Sequence, residues 1–198
     1  IRDRYGVGTG VMGAPNDDSR WGNCYGNIRA TNHMFERAVS SYTGNLADIK
    51  KELAEGHFFR AYNYFYLLKF FGGVPVVTKV LDVTSPELYG KRNSRYEVVN
   101  LILSDLDEAI AGLPLEQNIT SADKGKISKQ AAQAFKARVL LYEATWRKYN
   151  GTSTDFEGSA GPASDQVNAF LEESVQLSET VMGDAAYSLW NYNNVASY

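Results

Sequence analysis

A single cysteine, Cys24, occurs in 198 residues. One thiol cannot close a disulfide within the chain or build a cysteine-based zinc site, so neither can staple the fold. Cys24 sits in WGNCYG at a predicted helix start and reads as a small buried hydrophobe. Only two histidines are present, His33 and His57, and no H-x-x-x-H or H-E-x-x-H spacing exists. A histidine-based metal site is therefore not expected, and each ring reads as an ordinary helix residue. No apolar run approaches the roughly 18 residues that a membrane-spanning helix needs. Positive charge is not in excess either. The formal net charge of −3 comes from interspersed residues with no basic stripe, which disfavours nucleic acid as a partner.

Aromatic residues are plentiful, at 13% of the chain, and 13 residues are tyrosine. Tyrosine offers a flat apolar face with a polar rim, which suits both helix packing and sugar stacking. Apolar residues make up 44% and charged residues 22%, ordinary values for a globular protein with a proper core. A compact domain of this size buries about 70% of its unfolded surface.

The richest stretch is EGHFFRAYNYFYLLKFFGGVP over residues 55–75. Phe58, Ala61, Tyr62, Phe65 and Leu68 fall on one helical face, Gly72 supplies the terminating conformation and Pro75 forbids continuation. Helices are predicted near 21–42, 46–71, 95–112, 128–148 and 164–182. Ser94 and Glu97 form a capping box for the third, and Ser128 caps the fourth. Candidate core positions are Ile28, Met34, Phe35 and Ala38 in the first helix and Val98, Ile102, Leu106, Ala109, Ile110 and Leu113 in the third. The fourth is expected to turn Ala131, Ala134, Phe135, Arg138, Leu141 and Tyr142 inward, and the fifth Val167, Phe170, Leu171, Val175 and Val181. Residues 72–93 read as extended and able to lie flat along the helices. Residues 1–20 and 150–163 read as Gly-rich loops, and the end of the chain is aromatic and irregular. The expected fold is all-α, a tetratricopeptide-like array of helix pairs with long loops.

Catalytic signatures are weak. Gly8–Gly13 matches G-x-G-x-x-G, but the following Ala14-Pro15-Asn16 is a loop where a dinucleotide site needs a helix. Nothing marks a nucleophile elbow. Asp105 and Glu108 share one helix at i, i+3, which suits a solvated or arginine-paired face better than glycosidase carboxylates opposed across a cleft. Asn118-Ile119-Thr120 and Asn150-Gly151-Thr152 are formal sequons of the kind that arise by chance. The better candidates are aromatics near loops: Trp21, Trp146, Tyr149, Trp190 and Tyr192. Each also has a plain packing role available. Trp21 follows the polar run Asn16-Asp17-Asp18-Ser19-Arg20, which brings a ring, carboxylates and helix N-terminal N–H groups together. Arg4 and Tyr5 lie in the same N-terminal region. The candidate ligand set is thus Arg4, Tyr5, Asp17, Asp18, Trp21, Trp190 and Tyr192, with no catalytic, metal or cofactor residue.

Read in order, four blocks carry a resemblance. WGNCYGNIRATNHMFE is similar to a first-helix signature in Trp21, Tyr25, Ile28, Arg29 and Asn32. The Arg60-Ala61-Tyr62 to Pro75 block, the segment from Arg92 and Ser94 to Pro114, and KGKISKQAAQAFKARVLLYEATWRKY follow. Together they resemble the SusD/RagB family of surface glycan-binding lipoproteins. Lys126, where arginine is expected, departs from the pattern and alters an ion pair, not the fold.

The resemblance implies a binding protein, not an enzyme, in the outer membrane of Bacteroidetes. Such a protein binds oligosaccharide outside the cell and lids a TonB-dependent SusC-like transporter. It implies a single helical domain over residues 1–198, the N-terminal and central part of a longer protein. The export signal and lipid anchor would then lie outside this chain. The helical face around Lys50, Lys51 and Glu52 is expected to meet the transporter rather than the sugar. A tetratricopeptide-type adaptor for a protein or peptide is the alternative that the residues alone leave open.

Overall fold

The computed structural model describes residues 18–152, 161–162 and 164–189. Arg4, Tyr5, Asp17, Trp190 and Tyr192, with the Gly8–Gly13 motif, lie outside the described residues. Among the described residues the long elements are α1 (Ser19–Ser40), α2 (Lys50–Phe71), α3 (Arg95–Gly112), α4 (Lys129–Asn150) and α5 (Val167–Met182), and no strand forms.

Local chemistry explains most of the boundaries. Asp18 caps α1 by accepting from the Arg20 amide at 2.9 Å. The four residues before α2, Leu46–Ile49, wind as a tighter 3₁₀ turn rather than as its first turn, because Asn45 caps them through the Ala47 amide at 3.0 Å. Gly72 ends α2 at φ 69°, a left-handed value that favours glycine. The capping box of α3 is present in both halves, with Glu97 accepting from the Ser94 amide at 2.7 Å and Ser94 Oγ from the Glu97 amide at 3.3 Å. Ser128 Oγ accepts from the Ala131 amide at 3.2 Å to start α4.

Each helix packs on the next in the chain, α1 on α2, α2 on α3, α3 on α4 and α4 on α5. The pairing is antiparallel. Trp21 near the start of α1 meets Phe71 at the end of α2, and a Cβ at Gly112 ending α3 would stand 2.6 Å from the Ala54 Cβ near the start of α2. Absence of a side chain at Gly112 therefore sets how closely α2 and α3 approach. Arg95 at the start of α3 reaches Glu143 late in α4, and Ser174 in α5 donates to the Ala137 carbonyl at 2.9 Å. This is the expected tetratricopeptide-like helical ladder.

The core runs through Ile28, Phe58, Phe65, Leu68, Val98, Ile102, Leu106, Val139, Leu140 and Phe170. Cys24 is buried in it, as its sequence context indicated. The expected faces of α2 and α3 are largely correct, although Tyr62 remains half exposed. Ile110 and, in α1, Met34 and Phe35 are only partly buried. In α5 Phe170 is buried while Val175 is exposed.

The expected face of α4 is wrong. Ala131, Ala134, Arg138 and Leu141 are exposed, Phe135 and Tyr142 are partly buried, and the buried stripe is Ala132, Lys136, Val139, Leu140, Glu143, Ala144 and Arg147. Partners on other helices make this possible. Lys136 pairs with Asp107 of α3 at 2.6 Å, and Glu143 accepts from Arg95 of α3 at 2.7 Å and from Arg147 at 2.9 Å. Buried charges are tolerated when paired and hydrogen-bonded, and a periodicity count of apolar residues cannot see that.

Candidate functional site

Tyr25, Arg29 and Asn32 project from α1 toward the linker between α2 and α3. They donate to carbonyls at alternate positions. Tyr25 reaches Pro75 at 2.6 Å, Asn32 reaches Val77 at 3.0 Å and Lys79 at 3.2 Å, and Arg29 reaches Leu81 at 2.9 Å. Tyr64 of α2 clamps the same backbone, accepting from the Val77 amide at 2.7 Å and donating to its carbonyl at 3.1 Å. Burial pushes the Tyr64 phenol up to about 12 and the Tyr25 phenol higher, so both stay protonated donors. The linker thus lies along the helices, held by side chains in place of a neighbouring strand.

Asn32 is itself aimed from behind. Its Oδ1 accepts from Arg60 Nη1 at 2.9 Å, which turns its NH₂ group toward the linker. Arg60 makes a two-pronged pair with Asp105 of α3, at 2.8 and 2.7 Å, and His57 Nδ1 lies 2.7 Å from the same carboxylate. Burial alone would raise the Asp105 carboxyl, but the hydrogen bonds from Arg60 and His57 outweigh it and hold the group below the usual carboxylate range. A polar chain therefore crosses the ladder from α3 through α2 and α1 to the linker. It fixes one wall of a cleft.

That cleft, of about 860 Å³, lies between α1 and the linker, with Trp21, Tyr25 and Ile28 on one side and Pro75, Val77 and Leu81 on the other. Its charges are mixed: Arg29 and Lys79 stand with Glu36, Asp82 and Glu87. Trp21 is 38% exposed at its edge, tilted on Tyr25 at 5.0 Å and edge-on to Phe71 at 5.2 Å. The ring is anchored on one side and open on another, as a stacking platform must be.

Of the candidate ligand residues, Asp18 and Trp21 fall among the described residues and stand within one turn of each other. Asp18 is already engaged. Its carboxylate caps α1 and pairs with the Arg20 side chain at 2.9 and 2.6 Å, and these hydrogen bonds hold it below the usual range. The Arg20 guanidinium in turn lies over Phe70 at 4.4 Å. Sequence reading anticipated an extended linker along the helices and offered an arginine partner for Asp105, but did not foresee that the linker walls a cleft or that Asn32 and Arg60 support it. The signal was available in Tyr25, Ile28, Arg29 and Asn32, whose polar members share one helical face with buried Ile28. Among the described residues no group of three metal-ligating side chains forms, and no helix is long and apolar enough to cross a membrane.

A helical ladder of antiparallel pairs with aromatic clefts defines a tetratricopeptide-like binding scaffold. Comparison with known proteins narrows the class. The chain belongs to the SusD-like family described as "Starch-binding associating with outer membrane", which matches residues 14–141. A SusD-like protein of Formosa agariphila is 34% identical over 108 residues, covering 54% of this chain and 20% of that protein. The crystal structure of a SusD-like protein from Bacteroides fragilis superposes with a TM-score of 0.68 at 28% identity, over 95% of this chain and 32% of that one. A laminarin-binding SusD-like protein superposes with a TM-score of 0.57 at 27% identity, over 69% of this chain and 30% of that one. The chain therefore spans about a fifth to a third of the length of these relatives.

Proposed function

We propose that this chain is the helical core of a glycan-binding protein of the bacterial outer membrane, anchored by lipid and exposed at the cell surface. It holds oligosaccharide and passes it to a TonB-dependent SusC-like transporter, and it binds rather than cleaves. The observation that carries this reading is Trp21, a half-open ring at the edge of a large cleft inside the family-matched region. Sugar CH groups stack on such a ring while hydroxyls find the side chains and carbonyls around it. The family description and the laminarin-binding relative support the ligand class.

Isothermal calorimetry with laminarin and starch oligosaccharides tests the reading. Trp21→Ala should lower affinity by about tenfold, since a stacked aromatic contributes roughly 1–2 kcal/mol. Unchanged affinity with a lowered melting temperature would assign Trp21 to packing alone. Charge reversal at Lys50, Lys51 and Glu52 should leave sugar affinity intact and reduce uptake by cells, and equal loss in both assays would contradict a transporter-facing role for this helical face.

A further inference from the structure

A second groove, of about 530 Å³, lies between α2 and α4 and shares no lining residue with the Trp21 cleft. Its aromatic surface is Phe65 of α2 with Tyr142, Trp146 and Tyr149 of α4; Tyr142 belongs to the face that periodicity places in the core, and Trp146 and Tyr149 are two of the aromatics near loops. Phe65 and Tyr142 meet edge-on at 5.4 Å. Trp146 has the Arg95 guanidinium 4.2 Å from its ring centre yet is 40% exposed, and Tyr149 is 77% exposed.

Among the described residues two cations line this groove, Lys69 and Arg138, and no carboxylate does. Both side chains are exposed, and neither makes an ion pair among the described residues. Lys69 sits over the rings of Phe65 and Tyr66 at 5.1 and 5.2 Å. The chain as a whole is net negative, so a groove with positive charge alone is a local exception. Two like charges beside one apolar surface are best satisfied by an anion that also carries apolar area.

From this charge pattern we infer that the α2–α4 groove is a second sugar site, selective for an acidic oligosaccharide bearing a carboxylate or an ester sulfate. The sugar's CH face lies on Trp146 and Tyr149, and its anionic group faces Arg138 and Lys69. The inference rests on the glycan-binding reading above and adds a ligand charge to it.

Calorimetry at low salt with three probes separates the possibilities: an oligogalacturonide for the carboxylate, a sulfated galactan oligosaccharide for the sulfate, and a laminarin oligosaccharide as the neutral reference. At least one acidic probe should bind, more weakly as salt is raised. Arg138→Gln should weaken it on the order of tenfold, with partial recovery in Arg138→Lys. Trp146→Ala should remove measurable binding, whereas Trp21→Ala should leave it unchanged. Melting curves of the variants check that each still folds. No heat with either acidic probe overturns the inference, as does binding indifferent to both Arg138→Gln and Lys69→Gln. Laminarin binding that depends on Trp21, without acidic binding, would retain the proposed function and discard this second site. Self-association removed by Trp146→Ala, with no acidic binding, would assign the groove to a second copy of the chain and also overturn it.

Discussion

The Trp21 cleft has one helical wall and one wall of irregular backbone, whereas the groove beside Trp146 lies between two helices. The first depends on a polar relay from Asp105 through Arg60 and Asn32 to the linker carbonyls. The second needs no relay, because helix packing alone sets the spacing of α2 and α4. Irregular backbone has no ladder of its own, so its polar groups must be satisfied by side chains, and those side chains become part of the binding surface's support. The two regions should therefore respond differently to the same kind of substitution.

The largest difference is expected at Asp105. Asp105→Ala leaves the Arg60 guanidinium buried without its carboxylate, and should cost about 3–5 kcal/mol of stability in denaturant unfolding. It should also loosen the linker wall while leaving the α2–α4 groove intact in the protein that remains folded. Hydrogen exchange would show faster exchange at residues 76–81 and no change in α4. An equal response in both regions would break the comparison. Because the Asp105 carboxyl is held below its ordinary value, its contribution is fully present above the unfolded carboxylate range near pH ~4 and is lost as pH falls through the lower folded value. The stability gap between the native protein and Asp105→Asn should accordingly narrow on acidification below about pH 4, measured as denaturant midpoints against pH.

A smaller effect is expected at Asn32, which contributes two bonds to the linker and one to Arg60. Asn32→Ala should cost about 1–3 kcal/mol and accelerate exchange at the linker as Asp105→Ala does. If exchange there is unaffected, the relay does not end at the linker. The smallest effect is expected at Arg138, exposed and without an ion pair among the described residues. Arg138→Gln should change stability by less than about 0.5 kcal/mol, so any change in ligand binding there reads the groove and not the fold.

Much of this arrangement was legible in the residues. The capping box at Ser94 and Glu97, the Ser128 cap and the Gly72 stop are local chemistry, and they place helix ends within a few residues of where they occur. The inward face of α3 was legible too, because Val98, Ile102, Leu106 and Ala109 are apolar and evenly spaced. The first turns of the second and fifth predicted helices were not. Residues 46–49 wind as 3₁₀, and α5 begins at Val167 after Gln166 adopts a left-handed conformation. At the candidate site, Trp21 was legible as an aromatic at a helix start, and Asp18 as a polar neighbour whose capping role only its contacts reveal.

By itself the sequence determined the five long helices found among the described residues, where most of them start and stop, and that adjacent helices pair into a tetratricopeptide-like ladder. These follow from caps, breakers and apolar spacing, which act within a few residues along the chain. Tertiary structure decided which side of α4 is inside. That helix carries an aromatic stripe through Phe135 and Tyr142, which stays partly buried against Phe65 of α2, and a charged stripe through Lys136, Glu143 and Arg147, which goes inside because Asp107 and Arg95 of α3 meet Lys136 and Glu143. A buried charge is stable when an opposite charge from another helix meets it, and the identity of that helix is set by packing, not by local order. The linker was legible as an extended segment able to lie along the helices, but the side chains of α1 and α2 that hold it are brought to it only by the fold.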